Sequence, residues 1–244
     1  MHIILTGATG SVGAAALRHC LASPNITRLS ILSRRQFSLP TSEGMDVQKA
    51  QIILHDKFDT YPSALTDMLK GADGCVWAQG ISQTEVSKEE YIRITYDYPL
   101  AAAKAFSTLS EKDHFNFIYV SGEGADPSEK TWTLFGKIKG RAEAALRALP
   151  STPPHTALRV FNVRPGFVDP PDQRHKKKLS RRLVYGAIAP LLRLLPSQVS
   201  PSDVLAKVLV DLATGDGNAL ASGVGVEDEG RTLRCVGIRR LGGL

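Results

Sequence analysis

The chain has 244 residues, 43% of them hydrophobic and 22% charged, a composition that is ordinary for a globular protein and excludes extensive disorder. Its length suits one domain with a full core. The net charge of +6 is local, because six basic residues with no acid between them supply the whole excess: Arg174, Lys176, Lys177, Lys178, Arg181 and Arg182. One basic loop without a recognised nucleic-acid motif argues against a nucleic-acid partner.

We expect no transmembrane segment and no targeting peptide. The longest apolar stretch, residues 183–195, contains Pro190 and Arg193 and is shorter than the roughly 20 residues that span a bilayer. The first predicted strand begins at His2, so we predict a cytoplasmic protein. Reduced thiols and no metal site are expected for three widely spaced cysteines: Cys20, Cys75 and Cys235.

The first thirteen residues have the pattern of a strand, a tight turn and a helix start. An apolar run at residues 2–6 leads into Gly7, Gly10 and Gly13. Such glycines allow unusual backbone angles, close approach of a ligand, and close packing of helix on strand. We expect Thr9 in the turn and the amides of Ser11 and Val12 to bind a pyrophosphate at the helix N-terminus. A glycine-rich hairpin is the alternative, but a strand and a helix flank the turn as a dinucleotide site requires.

Strands and helices alternate along the rest of the chain. After the first strand and helix, strands are predicted at residues 26–32, 51–54, 74–78, 116–120 and 156–163. Helices are predicted at 62–70, 87–106 with a bend at Pro99, 133–149, and 201–212 with Ser200 as its cap. This order predicts an α/β Rossmann fold, a doubly wound, mostly parallel sheet with helices on both faces, in a single domain over residues 1–244.

Two regions after the sixth strand are less regular. Residues 169–200, with the basic cluster and a helix broken at Pro190, are expected to form a substrate lid. The cluster either clamps an acidic substrate or membrane surface or is a solvated loop. Residues 213–244 are expected to be an irregular C-terminal extension with at most a short strand near residues 231–236.

The end of strand two indicates which nucleotide is bound. In dinucleotide folds an acid at this place accepts from a free ribose 2′-hydroxyl, whereas arginine suits a 2′-phosphate. The strand ends with Arg34 and Arg35 and no acid, which favours NADP(H); a solvated loop is the alternative. Asp56, after strand three, is either an adenine contact or an ordinary turn acid. Small residues after strand four, including Ala78 with Gln79, let a ribose pass close to the backbone.

Two polar residues are candidates for catalysis. Ser121 follows strand five at the carboxyl edge of the sheet, where ligands bind, although turn chemistry also favours serine there. Lys139 lies on the predicted buried face of the next helix. Lysines in such positions commonly extend to water, but this helix borders the crevice, so we expect a functional role.

The glycine turn, Ser121, Lys139 and the Arg164-Pro165-Gly166 segment together resemble the short-chain dehydrogenase/reductase superfamily, in its atypical or extended branch. The segments are similar to Tat-interacting-protein-type NADPH-binding oxidoreductases and to small epimerase-like fungal proteins found beside secondary-metabolite pathways. The resemblance implies an NADP(H) site that includes Pro165. It also implies a serine and a tyrosine that bind a substrate carbonyl, with a lysine four residues later that lowers the tyrosine pKa and holds the nicotinamide ribose.

The family's tyrosine is absent, because position 135 is phenylalanine. Loss of a general acid removes a rate factor of about 10²–10⁴. Three explanations stay open: the substrate needs no acid, redox chemistry has been replaced by isomerisation, cyclisation or nucleotide sensing, or another tyrosine donates, from among Tyr96, Tyr98, Tyr119 and Tyr185. We predict an NADP(H)-dependent reductase of a small organic molecule. The sequence leaves the oligomeric state open.

Overall fold

The computed structural model describes residues 1–169 and 198–244. Its strands are β1 His2–Thr6, β2 Arg28–Ser33, β3 Ala50–Leu54, β4 Gly74–Trp77, β5 Phe115–Val120, β6 Leu158–Arg164, β7 Phe167–Asp169, β8 Val199–Pro201, β9 Val226–Glu227 and β10 Thr232–Arg234. Its α-helices, numbered in chain order over the described residues, are α1 Ser11–Ala22, α2 Ser63–Leu69, α3 Lys88–Ile92, α4 Tyr98–Phe106, α5 Leu134–Ala148, α6 Ser202–Thr214 and α7 Cys235–Leu241.

The main sheet has the order β3-β2-β1-β4-β5-β6-β10-β9, and β7 pairs with β8 beside it. All neighbours in the main sheet are parallel except β10 and β9. The order reverses between β1 and β4, which is the topological switch point where doubly wound folds bind nucleotides. The predicted Rossmann architecture is confirmed.

The sheet separates two apolar cores. Ile3 and Leu5 of β1 point into the core beneath α1 and α6, whereas Ile4 points into the core on the opposite face. The second core contains Trp77 and the buried side of α4 and α5. Strands buried on both faces are nearly continuously apolar, which is why β1 was recognisable from sequence.

Pro99 widens its helix instead of ending it. Between α3 and α4 the chain forms a π-turn at Arg93–Asp97, in which the Tyr98 amide donates to the Arg93 carbonyl five residues earlier. Pro99 has no N–H, so the Thr95 carbonyl lacks its usual helical donor. The buried Tyr119 hydroxyl donates to that carbonyl at 3.0 Å. The predicted interruption is therefore a π-turn with a side-chain donor.

The C-terminal region corrects two predictions. Residues 213–244 are not irregular throughout, because β9, β10 and α7 extend the sheet and cover its end. The predicted short strand is present as β10. Ser200 does not cap the last long helix; it lies in β8, and its hydroxyl accepts from the Gly166 amide at 3.1 Å. Tertiary contacts of Ser200 outweigh the local capping pattern.

Most of the predicted lid lies outside the described residues, including the basic cluster Arg174–Arg182, the apolar segment 183–195 and Tyr185. Among the helices that the structure describes, none is long and apolar enough to cross a membrane. The described residues contain no group of histidine, cysteine and acidic side chains suited to a metal ion. The three cysteines are buried and unpaired.

Candidate functional site

Two cavities lie along the carboxyl ends of the central strands. One, of about 120 Å³, is lined by the glycine turn and by residues after β2 and β4. The other, of about 480 Å³, is lined by residues after β5 and β6 and by Phe135 of α5. We call them the nucleotide cavity and the chemical cavity.

Backbone contacts build the nucleotide cavity. Gly7 has φ +67°, and a Cβ placed on it would lie 2.3 Å from the Ala78 carbonyl oxygen. A Cβ on Gly13 would lie 2.1 Å from the Gly7 oxygen, so only glycine lets α1 approach the turn this closely. Gly10 precedes α1 and provides no side-chain cap. The first amides of α1, including those of Ser11 and Val12, are therefore available to an anion.

The nucleotide-binding predictions are only partly brought together. Thr9, Arg34, Ala78 and Gln79 line the nucleotide cavity with the glycine turn. Arg35 and Asp56 are exposed and do not line it, Val12 and Pro165 line the chemical cavity instead, and Lys139 lines neither cavity. The cofactor role of each of these residues stays a prediction.

Phe58 also lines this cavity, and nothing in the sequence marks it. It is buried and contacts Trp77 edge-to-face, with 6.0 Å between ring centroids. Phe58 reaches the cavity because the loop after β3 folds back over the sheet, a long-range arrangement that leaves no local pattern.

Ser121 and Phe135 meet in the chemical cavity, together with Pro165. The Ser121 side chain is buried, and its hydroxyl has no hydrogen-bond partner among residues 1–169 and 198–244. A buried hydroxyl without a partner is costly, so this one is well suited to bind a ligand oxygen. The tip of the Phe135 ring, Cζ, lies 2.7 Å from where a Cβ on Gly122 would be. The ring therefore fills the space beside the backbone of Gly122 and offers no polar atom there.

Glycines on α5 bring this helix to the site. A Cβ on Gly136 would lie 2.5 Å from the Gly124 oxygen, and one on Gly140 would lie 2.0 Å from the Asp126 oxygen. The helix therefore packs directly on the loop that follows Ser121. Its start at Leu134 is fixed by Thr133, whose hydroxyl accepts from the Gly136 amide at 3.1 Å.

Lys139 is held beneath the chemical cavity. Its ammonium group donates to the Val120 carbonyl at 2.8 Å and lies 4.9 Å from the centroid of the Tyr119 ring. Burial lowers the pKa of Lys139 to about 8, while Glu143 opposes that shift. The buried ammonium is stabilised by one carbonyl, one aromatic face and a carboxylate one helical turn away.

Glu143 and Arg164 form a buried ion pair behind Lys139. Arg164 Nε donates to Glu143 Oε1 at 2.9 Å, and both side chains are less than a tenth exposed. Burial acts against the charge of Arg164, but its bonds with Glu143 outweigh burial and raise the Arg164 pKa. Arg164 also pairs with Glu227 of β9, at 3.1 Å. Sequence analysis assigned no role to this pair, although Glu143 follows Lys139 by one helical turn.

The tyrosines proposed as substitute donors do not reach the chemical cavity in the part of the chain described. Tyr119 donates to Thr95 and is buried, and burial raises its pKa well above the usual value. Tyr98 packs against Phe58, with 6.0 Å between ring centroids. Neither these two nor Tyr96 line the cavity.

No family model matches the chain, but individual curated proteins are similar to it. It is 33% identical over 263 aligned positions to "Leucinostatins biosynthesis cluster protein T" of Purpureocillium lilacinum, covering 98% of this chain and 94% of that protein. It is 39% identical over 159 residues to "Botcinic acid biosynthesis cluster B protein 16" of Botryotinia fuckeliana, covering 59% of this chain and 98% of that protein. A more distant relative, 26% identical over 215 residues and 86% of each chain, is "Protein fmp52, mitochondrial" of Emericella nidulans.

Solved structures share the fold at low sequence identity. A short-chain dehydrogenase/reductase-family oxidoreductase from Burkholderia thailandensis aligns with a TM-score of 0.65 at 15% identity, over 99% of this chain and 93% of that chain. The MalC reductase/Diels-Alderase of Malbranchea aurantiaca aligns with a TM-score of 0.62 at 16% identity, over 89% of this chain and 91% of that chain.

Three independent features now agree. The sheet has the Rossmann order, the glycine turn and Ser121 lie along one crevice, and a relative from a fungal biosynthesis cluster matches almost the whole chain. The chain belongs to the same family as the Purpureocillium lilacinum protein, and its fold is that of short-chain dehydrogenases/reductases.

Proposed function

We propose that the protein is an NADP(H)-dependent reductase of a small secondary-metabolite intermediate, and that the substrate accepts hydride without a proton from position 135. One observation carries the proposal: the buried hydroxyl of Ser121 has no partner in the described part of the chain, and it shares a cavity of about 480 Å³ with Phe135. The cavity can bind and orient a polar group, yet the family's proton donor is missing.

The glycine turn has the backbone geometry of a pyrophosphate site. A Cβ on Gly7 would collide with the backbone of Ala78, so the turn packs tightly on the segment after β4, whereas a Cβ on Gly10 would meet only the Gly7 oxygen, at 3.3 Å, which leaves the backbone of Gly10 open to a ligand. The amides that begin α1 would bind the pyrophosphate, and Arg34, with Arg35 beside it, would bind a 2′-phosphate. Lys139 would hold the nicotinamide ribose. When bound, NADPH supplies a hydride.

The protein's own groups determine which acceptors are suitable. Ser121 can donate one hydrogen bond to a substrate oxygen or nitrogen. Phe135 donates none, and it presents an apolar ring where a ketone oxygen would need a proton. An iminium ion already carries its charge, and a conjugated acceptor can take its proton later from water. We therefore favour these two classes over simple ketones.

The cofactor is tested by fluorescence. Trp77 is buried on β4, whose end leads into the nucleotide cavity, whereas Trp132 is 98% exposed. NADPH should quench Trp77 more strongly than NADH at equal concentration. Arg34→Ala with Arg35→Ala should weaken NADPH at least tenfold and leave NADH nearly unchanged. Arg93→Ala, which removes an exposed arginine far along the chain, is the control. Equal weakening of both nucleotides would contradict the 2′-phosphate assignment.

The chemistry is tested with NADPH carrying deuterium at the transferred position. The enzyme is incubated with a panel of cyclic iminium ions, conjugated enones and ketones, and the products are examined by mass spectrometry. Deuterium should appear in products of the first two classes. Turnover of the natural substrate without nucleotide would instead establish a non-redox isomerase or cyclase.

The Phe135→Tyr variant distinguishes a site that lacks only its proton donor from a site that can no longer reduce a substrate. If the rest of the site is intact, the tyrosine hydroxyl should confer deuteride transfer to ketones that the unaltered protein does not reduce. Phe135→Leu is the control, because it changes the ring without adding a hydroxyl. Absence of any gain with Tyr would count against a reductase site.

The cytoplasmic location also stays a proposal. The fmp52 relative carries "mitochondrial" in its name, so fractionation of the tagged full-length protein between cytosol and mitochondria is the deciding measurement.

A further inference from the structure

A third cavity, lined by three arginines, lies at the other end of the sheet, away from the crevice. It has a volume of about 250 Å³ and is lined by Arg147, Arg159, Arg231, Pro150, Leu158 and Val160. Half of its lining residues are arginines and none is acidic. Neither the family resemblance nor the proposed reductase reaction uses this cavity.

Two of the three guanidinium groups have no carboxylate partner within the described residues. Arg159 Nη1 donates to the carbonyls of Thr156 and Leu158, at 2.8 and 3.2 Å. Arg231 Nη1 donates to the Gly217 carbonyl at 2.9 Å, and its guanidinium lies 4.8 Å from the centroid of the Phe161 ring. Neutral carbonyls and a ring orient these groups without neutralising them.

The third arginine is compensated. Arg147 forms a salt bridge with Asp228, which also accepts from Thr232. Asp113 interacts electrostatically with Arg159, but its pKa is lowered chiefly by a hydrogen bond from His114, with a smaller contribution from Arg159. Asp113 is fully exposed and makes no salt bridge with Arg159 within the described chain. The cavity therefore keeps two positive charges that no nearby carboxylate neutralises.

These two charges act against each other. Burial, followed by repulsion from Arg159, lowers the pKa of Arg231. A pair of like charges fixed beside a partly buried cavity is unfavourable unless an anion lies between them.

The sheet edge adds a backbone donor to the same cavity. The Asn162 amide donates to the Arg231 carbonyl at 2.8 Å, and β10 pairs with β6 only from Asn162 onward. Amides two residues apart in a strand point to the same side, so the Val160 amide points to the side on which Asn162 bonds with Arg231. β10 does not extend far enough along β6 to pair with Val160. Val160 lines the cavity there.

From these observations we infer that the cavity formed by Arg147, Arg159 and Arg231 binds a phosphate dianion, either free or as a small phosphate monoester. Guanidinium groups bind phosphate oxygens in pairs, and two uncompensated charges match a dianion. Pro150, Leu158 and Val160 provide an apolar wall for the organic part of a monoester.

The test uses the full chain with Arg34→Ala and Arg35→Ala, so that phosphate cannot bind at the proposed 2′-phosphate position. Inorganic phosphate and phenyl phosphate are titrated by calorimetry at constant ionic strength, with chloride as the reference. We expect a saturable phosphate site that depends on Arg159 and Arg231, separate from phosphate binding at the glycine turn, which those two residues do not line. Adding Arg159→Ala and Arg231→Ala should weaken it at least tenfold, and adding Arg93→Ala should not. Tighter binding of phenyl phosphate identifies a monoester site, and equal or weaker binding identifies a site for free phosphate.

Two outcomes would overturn the inference: no saturable binding beyond the chloride reference, or unchanged affinity in the double arginine variant. If that variant does not fold, Arg159→Lys and Arg231→Lys keep the charge but lose the paired donors, and an unchanged phosphate affinity with them would also overturn it. NADPH binding, measured without the Arg34 and Arg35 changes, should be unaffected by the Arg159 and Arg231 variants. Failure here therefore leaves the proposed reductase untouched.

Discussion

The two cavities of the crevice are built in different ways. The nucleotide cavity is formed by backbone groups brought together at Gly7, Gly13 and Ala78, where no side chain has room. The chemical cavity is formed by side chains from distant segments: Ser121 after β5, Phe135 on α5 and Pro165 after β6. A backbone-built site tolerates few residue types but can be recognised in the sequence. A side-chain-built site can change its chemistry by one substitution, as Phe135 illustrates, while the fold around it is kept.

This contrast predicts that the elements around the chemical cavity depend most on the buried ion pair that joins α5 to β6. Glu143→Gln should lower the free energy of unfolding by about 3–5 kcal/mol, because it leaves Arg164 buried without its main partner. Denaturant unfolding measures the loss. Glu129→Gln is the matched control, since Glu129 pairs with Arg141 of the same helix in an exposed ion pair worth less than about 1 kcal/mol. Similar losses for both variants would mean that the buried pair has no special importance.

The nucleotide cavity should instead be broken by a single methyl group. Gly13→Ala should cost about 3 kcal/mol of stability and abolish NADPH quenching of Trp77, because the new Cβ would collide with the Gly7 oxygen. Gly80 lines the same cavity, but a Cβ added to it would have no atom within 4 Å. Gly80→Ala should therefore change stability little. A harmless Gly13→Ala would show that α1 can move away from the turn.

Lys139 should show a pH dependence in the chemical cavity. Its pKa is about 8 in the folded protein and near 10.5 in the unfolded chain, so burying the ammonium costs stability at neutral pH. Lys139→Met should therefore raise the free energy of unfolding by about 2 kcal/mol at pH 7. That gain should decrease between pH 8 and pH 10.5, where the unfolded chain binds more protons than the folded protein. Unfolding curves at several pH values measure it, and a gain independent of pH would contradict a titrating Lys139.

The smallest effect is expected at the rim of the nucleotide cavity. Arg34→Ala alone should weaken NADPH about tenfold, or about 1.4 kcal/mol, without changing stability, because Arg34 lines the cavity and is exposed. Arg35→Ala should weaken NADPH less, because Arg35 does not line the cavity. NADPH titration of the two single variants compares them directly, and a larger effect of Arg35 would reverse the assignment.

The sequence by itself determined the fold class, the glycine turn and the alternation of the central strands with helices. These features depend on local patterns: apolar runs that are buried on both faces, and glycines where a side chain cannot fit. It also placed Ser121 and Lys139 on elements that meet at the crevice, and it identified the missing tyrosine at position 135.

The tertiary structure decided which side chains meet. Phe58 reaches the nucleotide cavity, Tyr119 supplies the donor that Pro99 cannot, and Arg164 joins Glu143 to the C-terminal strands. The C-terminal segment was predicted to be irregular because its strands have only two or three residues, too few to show a period. Such contacts join residues far apart in the chain, so no local pattern encodes them, and packing alone determines them.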